Sequence, residues 1–271
     1  MQSRGASADA VATLREKLGQ ALDDAGTRKA AQVGEGLFSL ADLLRSTPSL
    51  RRVLTDVSVA GEAKAALLRE LLADKVDPVS LDLAAAAVEH RWTAARDLAD
   101  ALERLSEIAI ARSAGGNVDR LVDELFSVGR VIDGSPDLRS TLSDPTRSVE
   151  DRAGLVEGLL GRKALAATVT LVKQSLGGGY RSVTVALEEY QSVAAAVQDE
   201  RVAEVRSAHE LTDADRERLE QALARQYGRD VHLNVVVDPS LLGGLRVEIG
   251  DDVIDGSVVA RLDQARRMLA G

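Results

Sequence analysis

The sequence predicts a mostly α chain: a duplicated helical-bundle N-terminal region followed by a small α+β C-terminal domain. Three observations carry this. Apolar residues recur at three- and four-residue spacing from residue 6 to about residue 200, the period of one helix face. A block of that region recurs further along the chain. From about Glu200 the spacing changes to strict alternation, which belongs to half-buried strands.

Val11, Leu14, Leu18 and Leu22 line one face of the opening helix. Leu98, Leu102, Leu105 and Ile108 do the same further on, opposite Asp97, Asp100, Glu103 and Glu107. The helices are separated by short breaks at Thr47-Pro48, Asp77-Pro78, Gly115-Gly116-Asn117, Ser135-Pro136 and Gly177-Gly178-Gly179.

GLFSLADLL beginning at Gly36 matches ELFSVGRVI beginning at Glu124, 88 residues on. The only two Phe residues, Phe38 and Phe126, fall in equivalent places. At the same offset Pro48 meets Pro136, Leu54 meets Leu142, Asp56 meets Asp144 and Leu71 meets Leu159. After the Gly-rich loop the offset slips by three, so RDLADALERL from Arg96 aligns with RSVTVALEEY from Arg181. This is a duplicated supersecondary unit, in which no single amphipathic helix can bury its stripe alone. The expected domains are therefore a first helical module at 1–113, a second at 114–199 and a small α+β domain at 200–271. The segment Thr93 to Ser113 closes the first module and is placed to open the second.

In the C-terminal part, RVAEVRSA reads as a strand and Leu211-Thr212-Asp213 as a helix start. That helix stops at Tyr227-Gly228. VHLNVVVD and GLRVEIG follow as strands, and Gly250-Asp251 turns into the short strand Asp252-Val253-Ile254. Asp255-Gly256-Ser257 then caps a final amphipathic helix through Leu262 and Leu269.

Composition narrows the function. Aromatics are 2% of the chain, so the core must be Leu, Val, Ala and Ile. The formal net charge of -9 argues against nucleic acid and against broad adsorption to anionic lipid. There is no cysteine, hence no disulfide and no zinc-thiolate site. No signal-peptide core and no spanning stretch is read, so membrane association is expected only through a partner.

No catalytic, cofactor or metal site is expected. Gly177-Gly178-Gly179-Tyr180 lacks the Lys-Ser/Thr of a phosphate loop and follows a helix rather than a strand. Asp251, Asp252 and Asp255 lack the spacing of a calcium loop and read as turn and capping chemistry. His90, His209 and His232 lie on separate elements. Trp92, beside Arg91, has two readings: a lid over the first module's core, or an exposed anchor for a partner helix.

The string VVVDPSLLGGLRVEIGDDVIDGSVVARL, residues 235–262, resembles the signature segment of the ATP synthase delta subunit family, whose mitochondrial counterpart is the oligomycin-sensitivity-conferring protein. Its structural positions here are Asp238, Gly243, Gly244, Gly250, Asp255, Gly256 and Ser257, with Leu241, Asp251, Val253, Ile254 and Leu262 between and after them. SPDLRSTLSDP and Arg181 resemble the family's six-helix domain, so the resemblance covers roughly 117–271. It implies a non-catalytic stator subunit of a proton-translocating F-type ATP synthase, peripheral on the cytoplasmic face of the cell membrane. The implied partners are the N-terminal segment of the α subunit and the C-terminal segment of the b subunit, with no cofactor. The extra helical copy departs from the shorter family pattern, though elongated forms occur in actinobacteria. The outer copy, residues 6–113, is expected to hold the α segment, because it has a complete set of helices. The competing reading is a stand-alone helical-repeat scaffold unrelated to ATP synthase.

Overall fold

A computed structural model describes residues 5–23, 25–199, 202–227, 231–238, 241, 243–249 and 252–255. The chain divides into two compact units, Met1–Ala195 and Ala196–Gly271.

The first unit is helical. Its order is α1 (Ala6–Leu22), α2 (Thr27–Ser46), α3 (Pro48–Thr55), α4 (Gly61–Leu72), α5 (Pro78–Glu89) and α6 (Ala95–Ser113). A 3₁₀ turn at Gly115–Asn117 follows, then α7 (Val118–Gly134), α8 (Pro136–Ser143), α9 (Val149–Leu160), α10 (Ala166–Gln174) and α11 (Val183–Asp199). The starts follow from local chemistry. Pro48, Pro78 and Pro136 each occupy a first helical position, where a missing N–H costs nothing. Asp77 accepts the N–H groups of Val79 and Ser80, and Ser148 accepts that of Asp151. Helix α6 ends at Gly115, whose φ of 59° supplies the left-handed residue of a helix stop.

The repeat is visible element by element. Helices α3 and α8 have eight residues each, and α4 and α9 have twelve. Between them Asp56 accepts the Ser58 N–H at 2.8 Å, and Asp144 accepts the Thr146 N–H at 2.9 Å, the same turn in both copies.

Helix α6 lies at the centre. Twelve of its 19 residues are buried, which places it between partners on more than one side. It packs on α2 along one face and on α7 and α10 along another. Gly34 of α2 allows the close approach: a Cβ there would lie 2.6 Å from Ile110 Cδ1. Ser106 donates to the Gly34 carbonyl at 2.7 Å and meets the Gln174 amide of α10 at 3.3 Å. One serine thus joins α2, α6 and α10.

The sequence sets the charged residues of α6 opposite its apolar stripe. Two of them, Glu103 and Glu107, are buried. The Gly177–Gly179 connection covers them: Gly179 donates its N–H to Glu103 at 2.9 Å, and Tyr180 donates its hydroxyl to Glu107 at 2.7 Å. The Tyr180 ring stands edge-on to Tyr190 of α11, with centroids 5.6 Å apart. Arg45 of α2 pairs with Glu103, and Arg104 with Glu107. The glycines are needed here because a Cβ on Gly178 would collide with the Glu103 carboxylate.

The second unit holds β1 (Val202–Ser207), α12 (Asp213–Tyr227), β2 (His232–Val237), β3 (Leu245–Ile249) and β4 (Asp252–Asp255), in sheet order β2-β1-β3-β4. Strand β1 runs parallel to β2, with α12 as the crossover, and antiparallel to β3. Ala203, Val205, Val247 and Ile249 face one way and pack with Leu223 of α12, so the alternation seen in sequence is a one-sided core. The final helix expected through Leu262 and Leu269 lies outside the described residues.

Candidate docking grooves

Among the described residues, the helical unit carries a groove in each copy. The first, of about 520 Å³, lies among α1, α4 and α5 in the first copy. Ala21, Val79, Leu83 and Ala86 form its apolar part, with Lys17, Arg69, Asp82 and Glu89 around them. Arg69 reaches Asp82 at 3.3 Å, both well exposed.

The second, of about 510 Å³, lies among α7, α8, α9 and α10 in the second copy. Val128, Val131 and Ile132 of α7 form one wall. Leu138 and Leu142 of α8 and Val156, Leu159 and Leu160 of α9 complete its apolar lining, with Val172 of α10. Val131 is 61% exposed and Leu159 43%. At the same offset in the first copy, Leu40 and Leu72 are buried, whereas their counterparts Val128 and Leu160 are only half-buried.

The copies differ in how α5 and α10 are capped. In the first, Asp77 caps α5 locally and pairs with Lys29 at 2.5 Å. Gly36 of α2 then lets α5 close in: a Cβ there would sit 2.5 Å from Ser80 Oγ. In the second, Leu165 stands where Asp77 did and offers no side-chain acceptor. Glu124 stands where Gly36 did, and its carboxylate crosses from α7 to the start of α10. It accepts the Leu165 N–H at 2.8 Å and the Thr168 hydroxyl at 2.5 Å, while Arg120 donates to it at 2.7 Å. Burial pushes the Glu124 carboxyl up, but the Thr168 hydroxyl, the Leu165 N–H and Arg120 outweigh it and hold the group below its ordinary range. Glu124 thus bridges α7 and α10 through its carboxylate, where Gly36 leaves α2 and α5 in close approach.

The sequence-level positions fall as follows. Trp92 is 9% exposed and donates its indole N–H to the Ala87 carbonyl at 3.0 Å, closing the turn between α5 and α6. It lines neither groove. Asp238 is half-buried and donates its N–H to Ser207 at 2.8 Å, extending the β1–β2 pairing. Gly243 and Gly244 have φ of 141° and 84°, which side chains rarely adopt. Asp255 ends β4, paired in register with Arg246. Gly250, Gly256 and Ser257 lie outside the described residues. Among the described residues no group of three or more His, Asp or Glu is placed to hold a metal ion, and no helix is long and apolar enough to cross a membrane. Sequence reading passed over Glu124; the signal was its pairing with glycine at the repeat offset.

The family model described as ATP synthase delta (OSCP) subunit matches residues 95–269. An ATP synthase subunit delta from Nocardioides sp. is 56% identical over 99% of this chain and 97% of its own. The counterpart from Kineococcus radiotolerans is 47% identical over 89% of each chain, and that from Streptomyces coelicolor 43% identical over 98% of each. The match opens at Ala95, the first residue of α6, one helix earlier than the sequence resemblance covers. It therefore spans α6–α11, six consecutive helices. The chain belongs to the ATP synthase delta (OSCP) subunit family.

Proposed function

We propose that this chain is a non-catalytic stator subunit of a proton-translocating F-type ATP synthase, tying the α/β head to the b subunit of the peripheral stalk. The observation that carries the reading is the end-to-end match with delta subunits. A helical unit with a groove in each copy and a separate α+β unit fit a bracket that grips two chains. The subunit sits at the cytoplasmic face of the cell membrane, held there by the complex.

The duplicated modules, 1–113 and 114–199, share α6 in this reading. Each then has six helices, α1–α6 and α6–α11, so completeness no longer favours one over the other. The α N-terminal segment docks by helix-in-groove packing on the first module, where α1 and α5 flank the groove. The b C-terminal segment binds the C-terminal domain, 200–271, which the signature positions Asp238, Gly243 and Gly244 shape. Two tethers together raise effective affinity by about 10² to 10⁴ over either alone. Calorimetry on the chain lacking residues 200–271 tests the division: binding of an α N-terminal peptide persists and binding of a b C-terminal peptide is lost. A truncated chain that still binds the b peptide contradicts it.

A further inference from the structure

The connections after α5 and after α10 are closed by different chemistry. After α5, Trp92 turns back on its own helix and donates to the Ala87 carbonyl at 3.0 Å. After α10, residues 177–180 reach across to α6 instead. The Gly179 N–H meets both oxygens of Glu103, at 3.0 and 2.9 Å, and the Tyr180 hydroxyl donates to Glu107 at 2.7 Å. Only glycine fits so close: a Cβ on Gly179 would lie 2.8 Å from the Glu103 carboxylate and 3.3 Å from that of Asp100. We propose that residues 177–180 form a proton-sensitive clasp, which holds α11 to α6 while Glu107 is protonated and loosens that hold when Glu107 ionises. The clasp goes beyond the stator reading and does not depend on it.

The countercharge around the clasp is shared. Arg104 lies 3.0 Å from Glu107 and 3.6 Å from Glu189 of α11, so one guanidinium serves two carboxylates. Arg45 of α2 pairs with Glu103 and also acts on Asp100, which feels Asp97 and Arg96 along α6. Tyr190 of α11 stands edge-on to the Tyr180 ring, and its buried hydroxyl has no hydrogen-bond partner among the described residues. It therefore adds no donor to offset a charge on Glu107, and a buried charge is costly unless fully paired. Burial pushes the Glu107 carboxyl up to about 7, against the pull of Arg104 and Tyr180, and raises Glu103 against Arg45 and the Gly179 N–H. Lifting the clasp returns Glu107 to water and to its ordinary value of 4.5. The closed clasp thus holds an extra proton between those values. Its advantage is complete below about pH 4.5 and is lost as pH rises through about 7.

Hydrogen–deuterium exchange of the full chain between pH 5.5 and 8.5 tests this, with each rate corrected for the intrinsic pH dependence of amide exchange. Protection across residues 177–190 is expected to fall about tenfold or more over that range, while peptides from α4 and α5 keep theirs. Glu107→Gln keeps the shape, removes the titration and flattens the profile. Tyr180→Phe removes a donor to the ionised carboxylate, so it lowers protection at pH 8.5 by roughly a further tenfold and does much less at pH 5.5. Protection of residues 177–190 that does not change with pH overturns the clasp. So does a fall shared equally by α4 and α5, or a pH dependence that survives Glu107→Gln. If Glu107→Gln does not fold, Tyr180→Phe decides: an equal loss at both pH values overturns the proposal, and a loss confined to high pH upholds it.

Discussion

Glu107 is 1% exposed on the central helix. Burial pushes its carboxyl up to about 7, against the opposing pull of Arg104 and the Tyr180 hydroxyl, with Glu103 adding repulsion. The folded value lies above the unfolded one, so the folded state binds the extra proton between about 4.5 and about 7. Its contribution is therefore fully present below about pH 4.5 and is lost as pH rises through about 7. The swing is at most about 3 kcal/mol. Glu107→Gln keeps the shape and both polar ends while removing the titration. In urea melts followed by Trp92 fluorescence, the variant gains on the native chain as pH goes from 5.5 to 8.5, by about 1–3 kcal/mol. Equal pH slopes in the two proteins would mean Glu107 is solvated. Asp77 and Glu124 are depressed instead, so their contributions are lost on acidification. At this scale the sequence was partly legible. The repeat offset sets Gly36 against Glu124 and Asp77 against Leu165, yet nothing in it says that one carboxylate reaches across to the neighbouring helix. Likewise Glu103 and Glu107 read as a solvated face, because the loop that buries them lies 76 and 73 residues further along the chain.

At the scale of elements, prolines and caps marked the helix starts, and the alternation after Glu200 marked the strands, because both are local effects. The central place of α6, packed on α2, α7 and α10, was not local. It was visible in sequence only as a shortage of helices after Gly115-Gly116, and its burial on two sides is a tertiary fact. Two glycines separate packing from propensity. A Cβ on Gly34 would lie 2.6 Å from Ile110 side-chain atoms and 3.1 Å from the Ser106 carbonyl, whereas one on Gly129 of α7 would meet nothing within 4 Å. Gly34→Val forces α2 from α6 and costs about 1–3 kcal/mol, while Gly129→Ala gains roughly 0.5–1 kcal/mol of helix propensity. Thermal melts of the helical unit should move in opposite directions, by about 2–4 °C per kcal/mol. A Gly34→Val protein that melts no lower would show that α2 and α6 are not in close contact.

At the scale of the whole molecule, the C-terminal signature gave the family before any coordinate. Asp238, Gly243 and Gly244 explain why it is recognisable: backbone that only glycine adopts easily, next to a strand end pinned to Ser207. What the signature does not encode is which surfaces grip a partner. The grooves arise from how helices from different parts of the chain are spaced, and that spacing depends on single residues such as Glu124. A stator must resist torque at both ends, so a chain gripped through both its helical unit and its α+β unit is held more firmly than either contact alone allows.

The measurement that bears most directly on the central claim is affinity purification of the tagged chain from gently solubilised membranes of its own organism, with mass spectrometry of what accompanies it. Recovery of α, β, γ and b chains in head-and-stalk proportions is the predicted result. Recovery of the chain alone, or with unrelated soluble partners, would contradict the stator reading and leave a free-standing helical scaffold.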